Sequence, residues 1–206
     1  LMGRLAQDLD SGRFVGVGEI GLHHFTKWGR QAVINYPSDF APFQAMVDLV
    51  ADKGVWLDLH AETYDPDSGD SYLEEVLRGV ALMYQRNPGL KLAWSHTAMT
   101  NPANVREILL RYPNVIMNFK LVGDHSKWRG LEPICDEDCR LYEDWAQLME
   151  EMPERFVIGT DYKFARDGVR TSKYAKTIKK IRKVLGTLSP KAARLIAYEN
   201  ARSYFW

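Results

Sequence analysis

Four side chains in this sequence are suited to holding a divalent cation: Glu19, His60, His96 and Asp161, and each lies at or near the end of a run that reads as a β-strand. Imidazole nitrogen suits zinc and its first-row neighbours, while carboxylate oxygen adds charge neutralisation and can bridge two ions. Taken singly they say little. A histidine at a strand end is usually a satisfied loop or core residue, and Gly159-Thr160-Asp161 would serve as a helix cap. Taken together they point to a metal or catalytic cluster, because polar side chains at the same end of neighbouring strands converge on one pocket. The chemistry of such a cluster is a water acidified by the ion and a substrate group polarised by it.

The elements that must position these residues follow from periodicity and from helix start and stop signals. Phe14–Ile20 reads as a buried strand, and a helix capped by Ser38 or Asp39 runs to about Lys53, where Gly54 stops it. The strand Val55–His60 and a helix from Ser71 to Arg86 come next, then the strand Lys91–His96 and a helix from Pro102 to Tyr112. Val115–Phe119 is a fourth strand, followed by a longer excursion through Gly123 and Gly130 and a helix from Cys139 to Glu151. Phe156–Thr160 is a fifth strand, and helices over Ser172–Leu185 and Ser189–Glu199 close the chain. Strands that alternate with helices imply an α/β fold, one domain with a parallel sheet covered by helices. In such sheets ligands bind at the carboxyl ends of the strands, which is where all four candidates fall. Leu1, Leu5 and Leu9 share one helical face, so the chain opens on an amphipathic helix.

Composition narrows the function classes. The 206 residues carry 27 basic and 27 acidic side chains, so no net field draws in nucleic acid or anionic membrane. No apolar run approaches the roughly 18 residues of a membrane span. A small-molecule substrate fits that balance, with a homo-oligomer open. The two cysteines, Cys135 and Cys139, flank an acidic run and read as reduced thiols, which favours a cytoplasmic setting. The basic run from Lys173 to Lys183 is interleaved with Tyr174, Ile178, Ile181 and Leu185 at helical spacing and reads as the solvated face of an outer helix.

The sequence resembles the amidohydrolase superfamily, both its TatD-type nucleases and its amidohydrolase-2, decarboxylase-like branch. Gly18-Glu19-Ile20-Gly21-Leu22 is similar to the glutamate signature of the fourth barrel strand in TatD-type members. Leu59-His60 and Ser95-His96-Thr97 are similar to the histidines of the fifth and sixth strands, and Gly159-Thr160-Asp161 to the aspartate of the eighth. The close Asn200-Ala201-Arg202-Ser203-Tyr204-Phe205 resembles that of the amidohydrolase-2 branch. The resemblance implies the C-terminal portion of a (β/α)8 TIM barrel, strands four to eight, over residues 1 to 206. It departs from the family in one respect: no His-x-His pair is present, so the first three strands are expected to lie outside this sequence or to come from another chain.

The resemblance also implies roles. Glu19, His60, His96 and Asp161 would hold one or two divalent ions, zinc foremost. Asp161 would take the proton from bound water, and His96 would be a second ligand or a proton donor. His23, Lys120 and Tyr162 are candidates to face substrate, with Phe164 as a pocket wall and His125 in the excursion. The implied activity is hydrolysis of a small ester, lactone or amide. Alternatives are decarboxylation by the same fold, phosphodiester cleavage, and a non-catalytic open α/β domain.

Overall fold

The run from Trp56 to Glu62 alternates strictly, and that alternation decides how the sheet faces its surroundings. Leu57, Leu59 and Ala61 point one way, into a large apolar cluster with Val47, Val80 and Trp94. Trp56, Asp58 and His60 point the other way. In a strand successive side chains take opposite faces, so one face is built for helix packing and the other for a polar interior. The computed structural model describes residues 1–25, 33–65, 67–120, 134–161 and 171–206.

In chain order the described elements are α1 (Met2–Asp10), β1 (Gly16–His24), β2 (Ile34–Asn35), α2 (Ala41–Asp52), β3 (Trp56–Ala61) and α3 (Leu73–Arg86). They continue with β4 (Lys91–Ser95), α4 (Pro102–Arg111), β5 (Val115–Phe119), α5 (Glu143–Glu151), β6 (Phe156–Ile158), α6 (Thr171–Leu185), α7 (Pro190–Arg194) and α8 (Asn200–Phe205). The sheet order is β2-β1-β3-β4-β5-β6. All neighbours from β1 to β6 are parallel, and β2 adds a short antiparallel edge against His23 and His24. The expected five parallel strands are therefore present, and β2 is an addition.

Several boundaries differ from those expected, β6 for instance ending at Ile158 and not at Thr160. β1 runs four residues past Ile20, so His23 and His24 belong to the strand and do not follow it. The fifth helix starts at Glu143, because Cys139 has φ of 63° and cannot open a helix. The last helix continues through a π-helical segment, Leu195–Glu199, into α8. Pro102 does sit in the first turn of α4, with the Asn101 side chain accepting from the Asn104 amide at 2.9 Å.

The opposite sheet face carries a second, smaller cluster: Trp56, Ala93, Ile116 and Val157, packed against Ala201, Tyr204 and Phe205 of α8. Hydrogen bonds from two side chains fasten that helix. Asn200 donates its side-chain amide to the carbonyls of Pro153 and Phe156, at 2.7 and 2.8 Å. Trp56 Nε1 donates to the Tyr204 carbonyl at 2.9 Å. The Asn200-to-Phe205 close thus seals the amino-terminal end of the inner face and leaves its carboxyl end for the polar residues. Cys135 and Cys139 are both buried free thiols, and burial pushes Cys135 up to about 12. Among the described residues no helix is long and apolar enough to cross a membrane.

Candidate metal centre

Each site residue reaches the inner face by a different local device. His60 needs only the pleat of β3, and Glu62, one step past the strand, continues the same face. Glu19 needs an irregularity. Val17 pairs with Leu57 and Ile20 with Leu59, so two residues of β1, Gly18 and Glu19, stand opposite Asp58 alone. Such a bulge re-aims a side chain. Gly18 permits it, since a Cβ there would lie 2.4 Å from Asp58 Cβ.

His96 needs more. Alternation along β4 puts Ala93 and Ser95 on the inner face, and would send the next residue outward with Leu92 and Trp94. Instead His96, Thr97, Ala98 and Met99 all have positive φ, between 52° and 59°, and this left-handed turn brings the His96 ring back to the site. For L-residues that conformation costs roughly 1–2 kcal/mol each, so packing around the turn must hold it. All four residues are buried, and Thr63 Oγ1 donates to the Met99 carbonyl at 3.0 Å.

The resulting geometry centres on His60. Its Nδ1 donates to Glu19 Oε1 in a short contact, and its Nε2 donates to Glu62 Oε1 at 3.1 Å. His96 Nε2 lies 3.2 Å from the same Glu19 oxygen, and the His60 and His96 rings meet edge to face with centroids 4.8 Å apart. Glu62 is 2% exposed; its second oxygen accepts the Phe25 amide at 2.6 Å. His24 Nε2 stands 3.8 Å from Glu62 Oε1.

Electrostatics follow from these contacts. Burial, the largest influence on His60, opposes its protonation, but the Glu19 and Glu62 carboxylates together outweigh burial and push it up to about 9. Hydrogen bonds from His60 and then His96 hold the Glu19 carboxyl far below the usual range. One layer deeper, Asp58 accepts the Ser95 hydroxyl at 2.7 Å, and burial raises its carboxyl above the ordinary value. His24 is lowered, first by burial.

Three of the four expected ligands therefore meet: Glu19, His60 and His96 offer atoms within 4.8 Å of one another. β6 ends at Ile158, so Asp161 lies beyond the strand and not at its end, and it belongs to neither of the two ligand groups found among the described residues. Its carboxylate accepts from Lys120 Nζ at 2.5 Å, Lys120 being the residue that follows the adjacent strand β5. Lys120 likewise is engaged by Asp161.

His23 does not face the site. It is fully buried between Phe25 and Tyr72, with Nε2 donating to the Tyr36 carbonyl at 3.0 Å. The pleat explains the correction: adjacent residues take opposite faces, and His24 is the one that turns toward His60, ring centroids 4.6 Å apart. Tyr162, Phe164 and His125 lie outside the described residues. Sequence reasoning missed Glu62 and His24. The signal for Glu62 was present, since Asp58, His60 and Glu62 follow period two on a strand whose other face is wholly apolar.

The donors fit a divalent ion. Ligands at about 2.0–2.1 Å in a tetrahedral shell lie roughly 3.4 Å from one another, close to the 3.2 Å between His96 and Glu19. His96 Nδ1 is buried and has no hydrogen-bond partner among the described residues, so that ring can present either nitrogen. A cleft of about 410 Å³ opens between Thr63, Tyr64, Thr100, Asn104 and Asp144, and none of the candidate ligands lines it.

Fold comparison places the chain among TIM barrels. An uncharacterised TIM-barrel protein of Bordetella bronchiseptica superposes with a TM-score of 0.60 at 16% identity, covering 98% of this chain and 60% of that one. A 5-carboxyvanillate decarboxylase of Sphingomonas paucimobilis gives 0.53 at 13%, covering 97% and 62%. A dihydroxybenzoic acid decarboxylase of a Polaromonas species, solved with bound manganese and an inhibitor, gives 0.56 at 15%, covering 98% and 64%. The chain spans less than two thirds of each, so its fold is a partial barrel. It matches no family model and no curated protein.

Proposed function

We propose that this chain carries the cation-binding part of a metal-dependent decarboxylase acting on a small hydroxylated aromatic carboxylate. The observation that carries this reading is the meeting of Glu19 of β1 with His60 of β3 and His96, which follows β4, while the Lys120–Asp161 pair follows β5 and β6 at the same end of the sheet. The likeness in fold to decarboxylases of 5-carboxyvanillate and dihydroxybenzoic acid supports that reaction over hydrolysis of a small ester, lactone or amide.

A divalent ion, manganese or zinc, would supply Lewis acidity toward the phenolic and carboxylate oxygens of the substrate. Glu19, His60 and His96 would hold it. Lys120, partly exposed on the same rim, exchanges Asp161 for the substrate carboxylate and orients it. A proton relayed from solvent adds to the ring carbon that bears the carboxylate; the carbon–carbon bond then breaks, the ring recovers its electrons, and carbon dioxide leaves. Asp161 keeps Lys120 in place between turnovers. In the hydrolytic reading the same Asp161 would accept a proton from water, and its place on the rim is what favours that second reading.

The test is an assay of the full chain, loaded with manganese or zinc, on 2,6-dihydroxybenzoate and on a panel of small esters and lactones. Release of carbon dioxide, lost at least about 100-fold in Glu19→Gln and His60→Ala, is expected. Turnover of the esters with no release of carbon dioxide would replace this reading by the hydrolytic one.

A further inference from the structure

We propose that His24, Glu62 and the Nε2 atom of His60 form a second divalent-cation seat, so that the His60 imidazole bridges two ions. The inference rests on the first seat proposed above for one of the two ions, but its own residues lie on the far side of the His60 ring.

Glu62 carries the argument. It is a 2% exposed carboxylate with one oxygen fixed by the Phe25 amide at 2.6 Å. That bond aims the other oxygen between two imidazoles, 3.1 Å from His60 Nε2 and 3.8 Å from His24 Nε2. All three ligand atoms lie within 4.8 Å of one another, and neither Glu19 nor His96 belongs to this group. A buried carboxylate is costly unless it is compensated. Orienting His60 for the first ion is one compensation, the usual role of a carboxylate behind a metal-bound histidine.

That role leaves His24 unexplained. Its ring stacks 4.6 Å from His60 in a tilted arrangement, turns its Nε2 toward the Glu62 oxygen, and keeps a quarter of its side chain accessible. A carboxylate and two imidazoles, one of them open to solvent, make a seat that an ion can enter. Each ion takes the place of the proton on the His60 nitrogen it binds, and that proton goes to solvent. With metal–nitrogen bonds of about 2.0–2.1 Å on either side of one ring, the two ions stand about 6 Å apart.

The experiment strips the full chain with a chelator, titrates it with Zn²⁺ by calorimetry, and reads metal content after gel filtration, for wild type, Glu62→Gln and Glu19→Gln. Two equivalents in wild type and one in each variant are expected. Loaded with two equivalents of Cu²⁺, the wild type should lose most of its electron paramagnetic resonance signal through coupling across the imidazolate, while Glu62→Gln keeps the full signal of one ion. If Glu62→Gln does not fold, His24→Ala replaces it, with second-site affinity expected to fall about 10–100-fold. One ion in wild type that Glu62→Gln retains and Glu19→Gln loses overturns the second seat and leaves the proposed function standing. One ion that Glu19→Gln retains and Glu62→Gln loses supports the second seat and removes the first. Two ions surviving Glu62→Gln, or none in wild type, overturn the inference.

Discussion

His60 and Gly18 show how much of the site is decided by single residues. The imidazole of His60 lies between two carboxylates, and its raised value near 9 has a direct consequence for stability. A group whose folded value is raised above its ordinary 6.5 contributes stability that is complete below that ordinary value and lost as pH climbs through the folded one. Glu19, held low, contributes stability that is present at neutral pH and lost in acid. The metal-free protein should therefore unfold at progressively lower temperature as pH rises from 7 to 10. A melting temperature flat across that range in chelator would contradict the His60 pairing. At Gly18 the close approach to Asp58 leaves no room for a methyl group. Gly18→Ala should cost about 1–3 kcal/mol in denaturant titration and should weaken metal binding, because Glu19 moves with the bulge.

At the scale of elements, the strands, their order and their common polar end were legible because strand and helix periods differ and the turn residues mark the breaks. Four ligand positions were read from strand ends together with the resemblance. The pleat alone brings His60 to the inner face. Glu19 and His96 reach it only because a bulge and a left-handed turn re-aim them, and neither device leaves a mark that periodicity can detect. His23 was placed toward substrate by resemblance, but its neighbour His24 holds the inward position once β1 extends to residue 24. Asp161 was assigned as a ligand from its strand end, yet its partner is Lys120, a contact that depends on which strands are neighbours. The closing motif has a clear mechanical reading. Asn200→Ala would leave the carbonyls of Pro153 and Phe156 without their donor. The loss should be about 2–3 kcal/mol, measured by chemical denaturation, and no more than a small effect would show that α8 is held by packing alone.

The whole molecule is an open parallel sheet with helices on one face and a partly polar inner face, whose amino-terminal end is plugged by α8. It corresponds to roughly three fifths of the TIM barrels it resembles. Its balanced charge, 27 basic against 27 acidic residues, and the placement of the Lys176, Lys179 and Lys180 side chains on the exposed face of α6 favour small substrates over polyanions. Binding to duplex DNA, followed by fluorescence anisotropy, should accordingly be absent at physiological salt; tight binding with a steep salt slope would instead support a nuclease.

The central claim is that Glu19, His60 and His96 share one cation. Crystals of the full chain soaked in manganese or zinc and measured at the absorption edge of the metal test it most directly. An anomalous peak within about 2.0–2.2 Å of Glu19 Oε1 and one nitrogen each of His60 and His96 is the predicted result. A fully bound metal elsewhere in the molecule, with no peak between those three side chains, would contradict it.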